Sequence, residues 1–262
     1  MRKSLVGVGV AALVVLGGCD AQQSGAPMAK IGDTATATDA VQLVALAKSS
    51  TAKSRTVKID ATVDSSGMHV TMTGQGQFGG DSSQMAMQVG TAAGGMEMRL
   101  ADKVVYIKPP ASLQSRLGTD KTWIQLGGGD DSLSQLIDGG LDQLATQGDP
   151  ATVLNQISQG GKVTKTEKTT LDGQPVTHYT VDVDTAKAKA DLPPQLAGAV
   201  RPMTVDLWLN SENLPLQMTA VAGDTYHAKI HYTDWGGKVD VQAPPADQVA
   251  KLGDLNLNLG GH

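Results

Sequence analysis

A single cysteine, Cys19, stands in a chain of 262 residues. One thiol excludes an intramolecular disulfide and every metal or redox centre built from several cysteines. Basic residues are not in excess: 21 Lys and Arg face 26 Asp and Glu, for a net charge of −5. That balance argues against a nucleic-acid binder, and none is expected as a partner. The apolar run over residues 5–16 is too short to span a bilayer comfortably as a mature helix. There is no Gly-x-Ser-x-Gly element, no internal repeat at a fixed period and only eight aromatic residues. With 18% charged and 40% hydrophobic residues, the chain is nonetheless not disordered as a whole.

The N-terminus carries the most specific signal. Arg2 and Lys3 precede the apolar run, which ends in Leu16-Gly17-Gly18-Cys19. This resembles the bacterial lipoprotein box, an aliphatic residue and two small residues before a cysteine. The small residues let a peptidase grip the backbone beside Cys19, whose thiol would carry a diacylglyceryl group and become the new N-terminus. The competing reading is an ordinary secretory signal with an incidental cysteine. Residues 1–18 are thus expected to be removed, leaving 244 residues with net charge −7, since Arg2 and Lys3 leave with the signal. Residues 19–37, rich in Gly, Ala, Ser, Thr and Gln, read as a flexible tether holding the folded part off the outer face of the cytoplasmic membrane.

The folded part is expected over residues 38–250. Thr38 is a candidate N-cap, and Val41, Leu43, Val44, Leu46 and Ala47 give residues 39–53 an apolar stripe at helical spacing. Residues 55–64 alternate, with Val57, Ile59, Ala61 and Val63 on one face. Further strands are expected over 68–76, 84–90, from Met96 to Leu100, over 104–108 and over 122–126. Ser65-Ser66-Gly67, Gly79-Gly80-Asp81 and Asp102-Lys103 read as turns between them. Gly74-Gln75-Gly76 reads as a turn or bulge, not a phosphate cradle, because no helix follows. Leu133, Leu136, Ile137, Leu141 and Leu144 mark a helical pattern after Asp130-Asp131, and Asp149-Pro150 opens another short helix burying Val153, Leu154 and Ile157. Strands resume over 162–171 and 176–183 around an Asp172-Gly173 hairpin. Residues 184–200 read as partly helical, and 203–210, 216–222 and 225–234 as a closing meander. Residues 251–262 read as a loosely held tail. Short turns and no long crossovers predict an α+β protein, an antiparallel sheet with helices on one face.

Behind the lipoprotein box stand the helix over 39–53 leading into Arg55-Thr56-Val57-Lys58-Ile59, then Val105-Tyr106-Ile107 followed by Trp123, then Val205-Asp206-Leu207-Trp208-Leu209 followed by Leu214-Pro215, and last Tyr232-Thr233-Asp234-Trp235-Gly236 with Pro244-Pro245. In this order they resemble the LolA/LppX/LprG superfamily, and most nearly the actinobacterial LppX/LprAFG-type lipoproteins. These segments cover most of the mature chain by order and spacing, without a strict motif. The resemblance implies a strongly bent antiparallel half-barrel whose open side is covered by helices, with an apolar cavity between the layers. It implies an acyl lipid or lipoglycan as ligand, carriage within the cell envelope, and an envelope transporter protein as a further partner. No cofactor is implied.

No catalytic constellation emerges, and the chain is expected not to be an enzyme. His227 and His231 lie four apart on a strand, about 13 Å, too far for one metal ion. With Lys229 they read as a solvated face opposite Tyr226, Ala228, Ile230 and Tyr232. Asp130-Asp131 reads as a helix cap. The methionines are more informative: Met68, Met72, Met85, Met87, Met96, Met98, Met203 and Met218 all fall on the apolar parity of expected strands. They are either ordinary core or, being flexible and polarizable, a wall that adapts to mobile acyl chains. Any cavity is expected to be walled by Val57, Ile59, Val70, Met72, Met85, Met87, Met98 and Leu100 from the strands and by Leu133, Leu136 and Ile137 from the helices. The alternative function is a non-catalytic sensory or accessory envelope lipoprotein acting through protein partners.

Overall fold

The computed structural model describes residues 36–79, 83–126, 150–184, 202–251 and residue 255. The expected signal and anchor, the helical pattern of Leu133, Leu136 and Ile137, the Asp130-Asp131 cap, the expected turn at Gly80-Asp81 and the segment 185–200 lie outside the described residues.

The chain enters through α1 (Ala40–Ser54), whose N-cap is Asp39 and not Thr38. Asp39 Oδ1 accepts the Gln42 N–H at 2.9 Å, placing a carboxylate at the positive end of the helix dipole. Thr38 instead turns its hydroxyl to the Gln42 side chain. Arg55 closes the helix in the left-handed region at φ 60°, its N–H returning to the Thr51 carbonyl. Ala40, Leu43, Val44, Ala47 and Thr51 form the buried stripe. Val41, expected in that stripe, is 65% exposed, because at about 100° per residue it stands roughly opposite Leu43.

Strands follow in two meanders. The first is β1 (Thr56–Ser65), β2 (Met68–Gln77), β3 (Gln84–Thr91), β4 (Gly94–Ala101), β5 (Val104–Lys108) and β6 (Trp123–Leu126), with an unanticipated short helix α2 (Ala111–Gln114) between the last two. After α3 (Pro150–Gly160), the second runs β7 (Gly161–Leu171), β8 (Gln174–Val183), β9 (Met203–Leu209), β10 (Pro215–Ala222) and β11 (Tyr226–Thr233), and β12 (Val249–Lys251) ends it. All twelve strands form one sheet in the order β12-β6-β5-β4-β3-β2-β1-β11-β10-β9-β8-β7. The hairpins at Ser66-Gly67, Asp102-Lys103 and Asp172-Gly173 each place both central residues at positive φ, the primed turn that matches strand twist.

Three expectations need correction. The sheet is not wholly antiparallel, since β12 pairs parallel with β6. Long crossovers are present: β6 and β7 are consecutive strands yet lie near opposite edges, and the chain from β11 returns past the first meander to reach β12. Both follow from the pairing of β1 with β11, which joins the meanders through their first and last strands. Thirdly, Gly74-Gln75-Gly76 is no turn but regular β2 backbone, paired residue for residue with β1 and β3. Its glycines permit close approach: a Cβ at Gly74 would stand 2.5 Å from the Ala86 carbonyl oxygen, and one at Gly76 2.6 Å from the Phe78 ring. At the far end, Lys251 belongs to β12, and Leu255 is buried with Ile124 and Ala250.

The return from β11 runs along strand ends of the first meander. Thr56 Oγ1 donates to the Gly237 carbonyl (2.8 Å), Gln84 Oε1 accepts from the Val241 N–H (3.0 Å), and Arg99 donates to the Gln242 carbonyl (3.4 Å). One main core unites Leu43, Val44 and Ala47 of α1 and Leu154 and Ile157 of α3 with Val57, Ile59 and Ala61 of β1 and the buried side chains of β8 to β11. No helix among the described residues is long and apolar enough to cross a membrane.

Candidate functional site

Strand register converts the alternation of each segment into a continuous apolar face. Directly paired residues share a face. One row across the first meander reads Val57, Gly76, Met85, Leu100, Val105, Leu126; the next reads Ile59, Gly74, Met87, Met98, Ile107, Ile124; a third reads Ala61, Met72, Val89, Met96. Beyond β1 the third row continues through Ile230, Met218, Leu207 and Tyr179. All eight strand methionines lie on this face.

The face has two characters. Over the second meander it is close-packed: Leu207 and Leu209 are 1% exposed, Val181 0%, and Leu43 of α1, in the same core, 0%. Over the first meander Val70, Met72, Met87, Val89, Met96, Met98, Leu100 and Ile107 are only half-buried. Exposure also runs along the strands. Val57 and Met85 are 0% and 4% exposed at one end of their strands, Val63 and Val70 are half-buried farther along, and Met68 at the opposite end is 59% exposed.

The strand residues expected to wall a cavity therefore divide. Val70, Met72, Met87, Met98 and Leu100 come together as one half-buried patch, with Met85 buried at its inner edge. Val57 and Ile59 share the face but belong to the packed core with α1. Sequence reasoning did not include Val89, Met96, Ile107 and Ile124 among the wall residues, although all four sit in the same rows. Their alternation was visible, but membership of a row needs the pairing partners.

The opposite face is polar. His227, Lys229 and His231 lie on it as expected, opposite Asp64, Thr62 and Asp60. A cluster that sequence gave no sign of sits near the β7 edge. His178 stacks on Trp208 with ring centroids 4.3 Å apart and an interplanar angle of 1°. Its Nδ1 meets Glu167 Oε1 at 3.1 Å and its Nε2 meets Asp206 Oδ1 at 2.8 Å. Thr180 Oγ1 donates to the same Asp206 oxygen at 2.7 Å. Hydrogen bonds from Lys165 and then His178 hold the Glu167 carboxyl below its ordinary value. This cluster ties three strands through side chains spaced by pairing, which explains why no linear motif announces it. Elsewhere, Arg99 lies 4.6 Å from the Trp123 ring centroid while pairing with Glu97 at 2.7 Å. Burial raises the phenols of Tyr226 and Tyr106, with Asp102 adding to the latter, so both are neutral donors at ordinary pH. An open groove of about 400 Å³ lies between α2 and the ends of β2 to β5, bordered by Thr71, Thr73, Gln88, Glu97, Lys108 and Gln114. Among the described residues, no three His, Cys, Asp or Glu side chains are grouped so as to hold a metal ion.

No family model and no curated protein sequence matches the chain. Solved structures do. The crystal structure of LprF from Mycobacterium bovis superposes with a TM-score of 0.52 at 18% identity, covering 78% of this chain and 96% of that one. That of the lipoprotein LppX from Mycobacterium tuberculosis gives 0.47 at 15% identity, covering 78% and 98%. The chain thus has an α+β fold of the LprF type, dominated by one large antiparallel sheet, and the resemblance read from the sequence holds at the level of the fold.

Proposed function

We propose that the chain is a lipoprotein, anchored through Cys19 on the outer face of the cytoplasmic membrane, that holds acyl chains of a lipid or lipoglycan against the apolar face of its first meander and carries them within the cell envelope. In this reading residues 1–18 are the removed signal, 19–37 the tether and 38–250 the lipid-binding domain. The sheet acts as a bent half-barrel whose open side is covered by helices, and Leu133, Leu136 and Ile137, outside the described residues, are the helix contacts proposed for the ligand. The observation that carries the reading is the contrast within one apolar face: close-packed beside α1 and α3, half-buried and Met-rich over β2 to β4. Acyl chains need no directional chemistry. Each buried CH₂ contributes about 0.8 kcal/mol, so an unfilled apolar surface suffices. Methionine adapts to a chain without a fixed shape. Val70, Met72, Met85, Met87, Met98 and Leu100 are the strand contacts, and Val57 and Ile59 support them from the packed core. The sequence Leu16-Gly17-Gly18-Cys19 and the LprF-type fold support the anchored, non-catalytic role.

Native mass spectrometry of the purified mature chain, followed by organic extraction, tests this directly. Recovery of acyl lipid at near-stoichiometric amount is expected. A chain that stays free of lipid after incubation with membrane extract favours the sensory or accessory role instead.

A further inference from the structure

Strand direction gives the sheet two ends. The turns after β1, β3 and β10 and the segment carrying α2 lie at one, which we call the Met68 end; the turns after β4, β7 and β9 lie at the other, the Asp102 end. The two ends differ in chemistry. The Asp102 end shows Asp102 and Lys103, Asp172, Glu212 and Asp234. At the Met68 end the described hairpin turns read Ser66-Gly67, Ala92-Ala93 and Gly223-Asp224-Thr225, with one charged residue among them, and Asp64 and Asp184 stand at the adjoining strand ends.

Among the described residues four large apolar side chains are prominently exposed: Val41 (65%), Met68 (59%), Leu113 (49%) and Val221 (39%). Three of them stand at the Met68 end. Met68 follows the β1–β2 turn, Val221 is paired with His227 just before the β10–β11 turn, and Leu113 is on α2. The β1–β2 and β10–β11 turns adjoin through Ser66 N–H to the Thr225 carbonyl, and α2 touches the β3–β4 turn through Ser112 Oγ to the Ala93 carbonyl. Val41 is on the first turn of α1. That helix reaches the Asp102 end near its C-terminus, where Ser50 donates to the Glu212 carbonyl, so its first turn is directed away from that end.

From this asymmetry we propose that the Met68 end docks on a phospholipid surface, with Met68, Leu113 and Val221 entering the headgroup region. The proposal rests on the lipid-holding role above and adds where the lipid passes. Three further observations favour a bilayer over a protein partner. Met68 lies on the apolar face of β2, Val221 on the opposite face of β10 beside His227, and Leu113 on α2, so the three are spread around that end, an arrangement that a broad deformable surface meets better than a single rigid pocket. Lys108, Arg116 and Lys121 lie near Leu113 in sequence, against Asp120, while Asp64 and Asp224 lie beside Met68, so the basic groups that suit anionic headgroups belong to the α2 side of this end. The half-buried methionine face also becomes more exposed toward this same end, from Met85 at 4% to Met68 at 59%. The chain enters the fold on that side of α1, where the Ala37 N–H meets the Tyr179 hydroxyl.

The test uses the full mature chain with Cys19→Ser, so that one introduced cysteine is the only thiol. An environment-sensitive dye is placed in turn at Met68→Cys, Leu113→Cys, Val221→Cys, Asp102→Cys and Asp172→Cys, and each protein is titrated with vesicles of phosphatidylglycerol and phosphatidylcholine. Blue shift and quenching by brominated acyl chains are expected at the first three positions and not at the last two. Combining Met68→Glu with Leu113→Glu should weaken vesicle partition by roughly tenfold or more. Equal responses at both ends, a stronger response at Asp102 or Asp172, or none at any site up to millimolar lipid overturns the proposal. Lipid extraction from the same preparations separates this from the carrier reading. Acyl lipid recovered without tip insertion leaves the carrier intact and sinks the docking end, whereas tip insertion without recovered lipid does the reverse.

Discussion

Substituting Trp for Met87 and, separately, for Leu207 distinguishes a lipid-holding face from a packed core. Both residues lie on the same face of the same sheet. Leu207 is 1% exposed within the main core, so the indole has nowhere to go and should cost about 1–3 kcal/mol by overpacking. For a domain of this size that lowers Tm by roughly 2–4 °C per kcal/mol. Met87 is half-buried between Gly74, which has no side chain, and the flexible Met98. There the indole can extend toward the open side of the half-buried face, and the stability cost should stay under about 1 kcal/mol. If an acyl chain occupies that space, the indole displaces about three methylenes, roughly 2–3 kcal/mol of binding or about 50-fold in affinity. Denaturant titration supplies the stabilities, and displacement of a fluorescent fatty acid supplies the affinities. A Met87→Trp protein that unfolds as early as Leu207→Trp, with unchanged affinity per folded molecule, refutes the reasoning.

Three further outcomes are expected. Leu43→Ala removes a 0%-exposed anchor of α1 and should cost about 2–5 kcal/mol in thermal or chemical unfolding. Glu167 has a folded pKa below its ordinary 4.5, so its contribution to stability is fully present above that value and is lost as pH falls through the lower folded value; acid titration of Glu167→Gln should show a shallower stability loss in that window, while an unchanged acid profile would mean that the contacts with Lys165 and His178 add nothing. Cys19→Ala should release the protein from the membrane fraction or leave its signal uncut, as read by fractionation and by the mass of the N-terminal peptide.

Much of the sheet was legible because alternation in β1 to β5 and β8 to β11 is regular and the turn residues are distinctive. Ser66-Gly67 and Asp172-Gly173 announce their hairpins by composition, and the bounds of β5 were read without error from Asp102-Lys103 and Pro109-Pro110. What alternation could not convey was adjacency. Nothing in the local sequence of β1 says that its second partner is β11, and three residues at Val249–Lys251 are too few to signal a strand. Gly74 and Gly76 misled because glycine in a strand resembles glycine in a turn until the crowding from Ala86 and Phe78 is known. The candidate wall suffered from the same gap. Parity placed Val57 and Met87 on one side correctly, but only the packing of α1 reveals that Val57 is sealed and Met87 is not. His178 escaped notice because its partners, Glu167 and Asp206, come from the two flanking strands.

The junction of β1 with β11 has a consequence for how the molecule is made. Each meander consists of neighbours in sequence and can assemble from local contacts, but the pairs from Lys58–Thr233 to Ser65–Tyr226 span nearly the whole domain. Contacts of such separation carry the loop-closure cost before they return any stability, and they slow folding. β1 therefore emerges early with one side satisfied by β2 and the other an open row of amides and carbonyls, waiting for a strand delivered almost last. During that interval the half-formed sheet presents a sticky edge in its eventual centre, the geometry that invites wrong pairing and aggregation. Deleting or delaying β11 should for that reason harm solubility far more than an equal deletion at the β7 or β12 edge.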